Sequence, residues 1–173
     1  ATEAIGDVGP MAGGGDVGSG IGSGLGGGGG GGGGGASFFG VEARGTRFAF
    51  IVDVSGSMQA NGKIEALRQE LTQSISALAD NAHFFVVLFS TDAKVLGGRT
   101  TSQPAGAPGK RWARGLIETI SADGNTVPFP AFQIVLGMRP RPDAIYFMTD
   151  GEFDEANIAE IARLNAEYRI PIH

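Results

Sequence analysis

The chain has 173 residues, with 13 basic and 18 acidic side chains, a formal charge of −5 and no cysteine. The missing cysteine excludes disulfides, thiolate zinc sites and cysteine nucleophiles. No basic cluster exists to neutralise phosphates, which argues against nucleic acid as a partner, and the longest apolar run, Phe84 to Phe89, is too short to cross a bilayer.

Of the 31 glycines, 21 fall within residues 1–45, ten of them in an unbroken run from Gly26 to Gly35. Residues 1–35 hold Glu3, Asp7 and Asp16 but neither Lys nor Arg. Such a segment lacks the apolar surface that offsets the entropy of ordering. Residues 1–45 are therefore expected to be a disordered Gly-rich linker, and residues 46–173 a folded domain. The poly-Gly run is no phosphate loop, because no strand precedes it and no amphipathic helix follows.

Beyond residue 46 strands alternate with helices. Arg47 to Val54 (RFAFIVDV) reads as a buried parallel strand ending in a Ser/Gly-rich turn. A helix from Lys63 to Ala79 places Ile64, Leu67, Leu71, Ile75 and Leu78 on one face. His83 to Ser90 forms a second strand, and Ala93 to Leu96 a short edge strand. Residues 97–109, rich in Gly, Pro, Ser and Thr, read as a loop.

Helices are expected over Arg111 to Ser121 and Pro130 to Met138, and a third buried strand over Ala144 to Thr149. Asp154 suits the N-cap of a last helix carrying Ile158, Ile161, Ala162 and Leu164. Arg169 to His173 opens a further strand that the chain end cuts off, so the sequence reads as a fragment. This alternation predicts a doubly wound α/β fold: a mostly parallel central sheet flanked by helices. Ligands of such sheets bind at the carboxyl ends of the strands, which directs attention to the turns after Val54, Ser90 and Thr149.

The first turn reads Asp53-Val54-Ser55-Gly56-Ser57-Met58. One carboxylate and two hydroxyls at spacing i, i+2, i+4 can converge from a tight loop, and their hard oxygens suit Mg²⁺, Mn²⁺ or Ca²⁺. Phe147-Met148-Thr149-Asp150-Gly151 brings a second carboxylate to another strand end, and Gly124-Asn125-Thr126 supplies a hydroxyl just before a helix.

These three motifs, in this order and spacing, resemble the loops of a von Willebrand factor type A (integrin I-like) domain over roughly residues 46–173. The resemblance implies a Rossmann-like fold, with the family's C-terminal strands and closing helix missing from this sequence, and a metal-ion-dependent adhesion site. Asp53, Ser55 and Ser57 match the D-x-S-x-S of that site, Thr126 its threonine and Asp150 its second aspartate. In the family the hydroxyls typically bind the ion directly, the carboxylates often act through water, and the last position is left for an acidic group of a partner. The implied cofactor is a divalent cation, Mg²⁺ first, with Mn²⁺ or Ca²⁺ as the other choices. The implied partner is a protein presenting Asp or Glu. Pro128 and Pro130 follow Thr126 closely, so their stiffness either fixes or displaces that loop.

The remaining polar residues read more plainly. Glu152, Asp154 and Glu155 suit the start of a helix, with Glu152 also near enough in sequence to tune the metal. His83 opens a strand, and Trp112 anchors its helix. Arg99, Lys110, Arg111 and Arg114 concentrate positive charge around one loop and read as a solvated face, with an acidic partner as the alternative. The function expected is a metal-dependent protein-binding or adhesion module and not an enzyme. The alternative is a Mg²⁺-dependent phosphoryl-transfer or hydrolytic enzyme using Asp53. Haloacid dehalogenase-like phosphatases have such an aspartate, but they usually place a second aspartate two residues on, where this chain has Ser55. The Gly-rich lead and Ser37-Phe38-Phe39-Gly40 are loosely similar to bacterial proteins that hang such domains from a membrane anchor; the compartment is otherwise open.

Overall fold

The structure, a computed structural model, describes residues 34–151 and 154–173. The expected linker up to residue 33, together with Glu152 and Phe153, lies outside the described residues. Strands β1 (Gly35–Phe38) and β2 (Val41–Arg44) form an antiparallel hairpin within the segment assigned above to the linker. Its two-residue turn is Phe39-Gly40, with φ of 47° and 77°, as a type I′ turn requires. Alternation gives the hairpin an apolar side: Ala36, Phe38 and Ala43 are buried. Phe38 meets Phe50 edge-on at 5.4 Å, and the Tyr146 hydroxyl donates to the Ala36 carbonyl at 2.6 Å.

β3 (Arg47–Asp53) is the central strand. Helix α1 (Lys63–Ala77) follows a 3₁₀ segment over Gly56–Gly62. Next come β4 (His83–Phe89), β5 (Ala93–Val95) and β6 (Gln103–Pro104), then α2 (Ala107–Ile117) and α3 (Phe129–Gly137). β7 (Ala144–Met148) and α4 (Glu155–Asn165) complete the set. The main sheet runs β5-β4-β3-β7, with β6 also on β4. β3 is parallel to both neighbours, in registers Arg47↔His83 and Phe48↔Ala144, while the short β5 and β6 lie antiparallel on β4.

Successive residues of a strand face opposite layers, and both layers are apolar here. Phe48, Phe50, Val52, Phe84, Val86 and Tyr146 pack with Ile64, Leu67, Leu71 and Ile75 of α1 and with Ala113 and Ile117 of α2. Ala49, Ile51, Phe85, Val87 and Ile145 pack with Phe132, Val135 and Leu136 of α3 and Ile161 of α4. Each fully buried Leu, Ile or Phe contributes about 1.5–3 kcal/mol. Burial on both faces explains why these strands appear in the sequence as continuous apolar runs.

The largest differences from the sequence reading are at α2, which also ends at Ile117 rather than Ser121, and at the chain end. α2 begins at Ala107, four residues early, because Pro108 sits in the first turn where its missing N–H costs nothing. The expected strand over residues 169–173 is reduced to a single parallel bridge, Ile145↔Ile172. The Pro171 carbonyl accepts from Ile145 N at 2.9 Å, and His173 N donates to the Ile145 carbonyl at 2.9 Å. Arg169 has φ of 52° and Pro171 lacks an N–H, so the ladder starts late.

Candidate metal centre

The registers of β3 with β4 and β7 bring three strand ends to one edge: Asp53 lies opposite Phe89, and Val52 opposite Met148. Backbone hydrogen bonds then bind the loops beyond them. Val54 N donates to the Phe89 carbonyl at 2.9 Å, Gly56 N to Gly124 at 2.9 Å, Asp123 N to Val54 at 2.8 Å and Val127 N to Ser90 at 2.9 Å. Gly124 adopts φ of 84°, and a Cβ there would lie 2.7 Å from the Thr91 hydroxyl, so only glycine fits.

Asp53 is fully buried. Its Oδ1 accepts from Ser55 N at 2.8 Å and its Oδ2 from the Thr149 hydroxyl at 2.7 Å. The hydroxyls of Ser55 and Ser57 are 3.1 Å apart, and the Ser57 hydroxyl donates to Asp150 Oδ1 at 2.9 Å. Lys63 Nζ contacts the other carboxylate oxygen, Asp150 Oδ2. Burial pushes the Asp150 carboxyl upward, but the hydrogen bonds from Lys63 and Ser57 and the Lys63 charge outweigh it, leaving the group below the ordinary carboxylate value.

Four of the five residues picked out in the sequence thus form one hydrogen-bonded chain, Asp53 through Ser55 and Ser57 to Asp150. Thr126 stands beside them: a Cβ on Gly151 would lie 3.2 Å from the Thr126 hydroxyl oxygen. Among the described residues that hydroxyl takes no part in the chain. Pro128 and Pro130 form the N-cap and first turn of α3. Pro128 offers its carbonyl to Ala131 N at 3.0 Å.

Two participants were not singled out in the sequence. Thr149 sat unremarked beside Asp150, although a hydroxyl at a strand end next to an aspartate is itself a signal. Lys63 appeared only as the first residue of a helix. The other candidates fall away from the cluster. Trp112 is half-buried beneath Arg99, whose guanidinium lies 5.6 Å from its ring centroid. Lys110 donates to the Leu78 carbonyl at 2.6 Å and pairs with Asp80. The Asp154 carboxylate caps α4, accepting from Ala156 N at 3.1 Å. Glu152 lies outside the described residues.

The five candidate residues offer two carboxylates and three hydroxyls, all hard oxygens, which suit an oxygen-seeking divalent cation better than a soft one. Among the described residues no group of three or more His, Cys, Asp or Glu is placed to hold a metal, so any ion here would depend on the hydroxyls.

The sheet, mostly parallel and covered by helices on both faces, is of the von Willebrand factor type A kind. No protein-family model and no curated protein matches the chain, but solved structures do. A von Willebrand factor type A structure from Catenulispora acidiphila matches with TM-score 0.61 at 20% identity, over 72% of this chain and 32% of that one. The conserved hypothetical protein BatB from Bacteroides thetaiotaomicron matches with TM-score 0.60 at 20% identity, over 74% and 64%. Proximal thread matrix protein 1 from the mussel byssus, solved with a zinc-occupied MIDAS motif, matches with TM-score 0.57 at 17% identity, over 73% and 34%. The chain has the von Willebrand factor type A fold, and it spans 32% of the length of the first of these proteins and 64% of the second.

Proposed function

We propose that the chain is a metal-dependent protein-binding module. In this reading Asp53, Ser55, Ser57, Thr126 and Asp150 hold one divalent cation, Mg²⁺ in first place with Mn²⁺ or Ca²⁺ as alternatives. A partner's Asp or Glu completes the coordination. The observation that carries the reading is the state of Asp53. It is fully buried, and among the described residues no ammonium or guanidinium touches it. Buried carboxylates are paired with cations or coordinate metals.

The chain's own residues divide the work. Ser55 N and Thr149 fix the Asp53 carboxylate in one orientation. Ser57 couples the first loop to Asp150. Gly151 leaves room for Thr126 beside the cluster. A bound divalent ion would supply positive charge able to attract an acidic group. Because Mg²⁺ demands near-octahedral geometry and keeps waters, a site built largely on hydroxyls leaves a position for that group. The zinc-occupied motif of the byssus protein supports this reading by likeness of fold.

The enzymatic alternative fits less well. Both oxygens of Asp53 accept hydrogen bonds and the side chain is buried, which suits a fixed ligand better than an attacking nucleophile. The test is a Mn²⁺ titration followed by electron paramagnetic resonance, with wild type and Ser55→Ala. The wild type should deplete the free-ion signal at about one ion per chain and Ser55→Ala much less. Equal depletion by both would place the ion elsewhere.

A further inference from the structure

Resting on the metal reading above, we infer that Lys63 is a built-in competitor of the divalent ion: its ammonium pairs with Asp150, one of the proposed ligands, and lowers the affinity for metal. Lys63 is the first residue of α1 and is carried by a helix whose next apolar residues, Ile64 and Leu67, are buried. Its position is therefore set by the core. Its side chain remains 38% exposed, whereas that of Asp150 is only 13% exposed. The ammonium thus approaches from the solvent side and contacts Oδ2, while Ser57 donates to Oδ1.

Both oxygens of Asp150 have partners on this chain, and one of those partners is a positive charge. Among the described residues no other cation reaches the cluster. Arg68 donates to the Ile120 carbonyl beside Glu65, and Lys110 lies against Asp80. Of the two carboxylates, Asp150 is neutralised by the chain itself and Asp53 is not.

A cation drawn to both carboxylates meets a like charge at one of them, so Lys63 must turn outward or share Asp150. The first is easily done. A Lys stem is flexible, its ammonium regains water outside, and ion pairs with this much solvent contact are weak. Lys63 therefore modulates metal binding without blocking it.

The test uses the full 173-residue chain in calorimetric Mg²⁺ and Mn²⁺ titrations at low ionic strength, with wild type, Lys63→Gln and Lys63→Arg. Gln keeps a hydrogen-bond donor for Asp150 while removing the charge. Lys63→Gln should bind about tenfold more tightly than wild type, as removal of one nearby charge in a partly solvated site implies. The gain should shrink as salt screens the ammonium, and Lys63→Arg should stay within about twofold of wild type, since it keeps the charge. If wild type binds metal and Lys63→Gln binds it no more tightly, the competitor role is wrong and Lys63 only positions Asp150. If none of the three proteins binds either ion, the metal reading fails and this inference with it.

Discussion

The Thr149 hydroxyl donates to Oδ2 of Asp53 at 2.7 Å, tying the end of β7 to the end of β3 through a carboxylate that is fully buried. Thr149→Val keeps the shape and removes the donor. An unsatisfied oxygen on a buried carboxylate costs about 1–3 kcal/mol, so the variant should lose about that much stability. Urea unfolding in EDTA checks this, and an unchanged midpoint would mean that Thr149 does not support Asp53.

Gly151 lies against Thr126, so Gly151→Ala tests whether that threonine matters. The added Cβ would sit 3.2 Å from the Thr126 hydroxyl oxygen and 3.3 Å from its methyl carbon, forcing one of them to move. The predicted result is a Mg²⁺ affinity lowered on the order of tenfold, the scale seen when groups supporting metal ligands are disturbed. Equal affinities for Gly151→Ala and wild type would show that this crowding of Thr126 does not reach the ion.

Phe38 tests the N-terminal hairpin. It is buried against Phe50 and Tyr146, with ring centroids at 5.4 and 5.8 Å. Phe38→Ala should destabilise the fold by about 3–5 kcal/mol, measured by chemical denaturation. A neutral effect would return residues 35–44 to the role of linker.

Acid sensitivity follows from Asp150. Its carboxyl is held below the ordinary value of 3.8, so the unfolded chain takes up this proton at higher pH than the folded one. The stabilisation is present above that value and is lost as pH falls through the lower folded value. In metal-free buffer, wild type should therefore lose more stability than Lys63→Gln as pH drops below about 4. Parallel stability curves for the two proteins would contradict this.

Much of the fold can be read from residue patterns, for a physical reason. β3, β4 and β7 are covered on both faces, so they appear as apolar runs, and α1 shows its buried side at Ile64, Leu67, Leu71 and Ile75. Asp53, Ser55, Ser57 and Asp150 can be found because parallel strands put their carboxyl ends on one edge. The hairpin is hidden because its apolar side amounts to Ala36, Phe38 and Ala43 within a Gly-rich setting. Lys63 is hidden for another reason. Its contact with Asp150 spans 87 positions and depends on the direction α1 takes after the 3₁₀ segment, which residue periodicity does not encode. The start of α2 was obscured by Pro108, a residue that breaks helices everywhere except in the first turn where it sits.

Isothermal titration calorimetry of Mg²⁺ into wild type and Asp53→Ala tests most directly whether the buried Asp53 belongs to a divalent-cation site. Wild type should bind one ion per chain, with EDTA reversing it, and Asp53→Ala should bind none under the same conditions. Absence of Mg²⁺ and Mn²⁺ binding by wild type, or undiminished binding by Asp53→Ala, would contradict the claim.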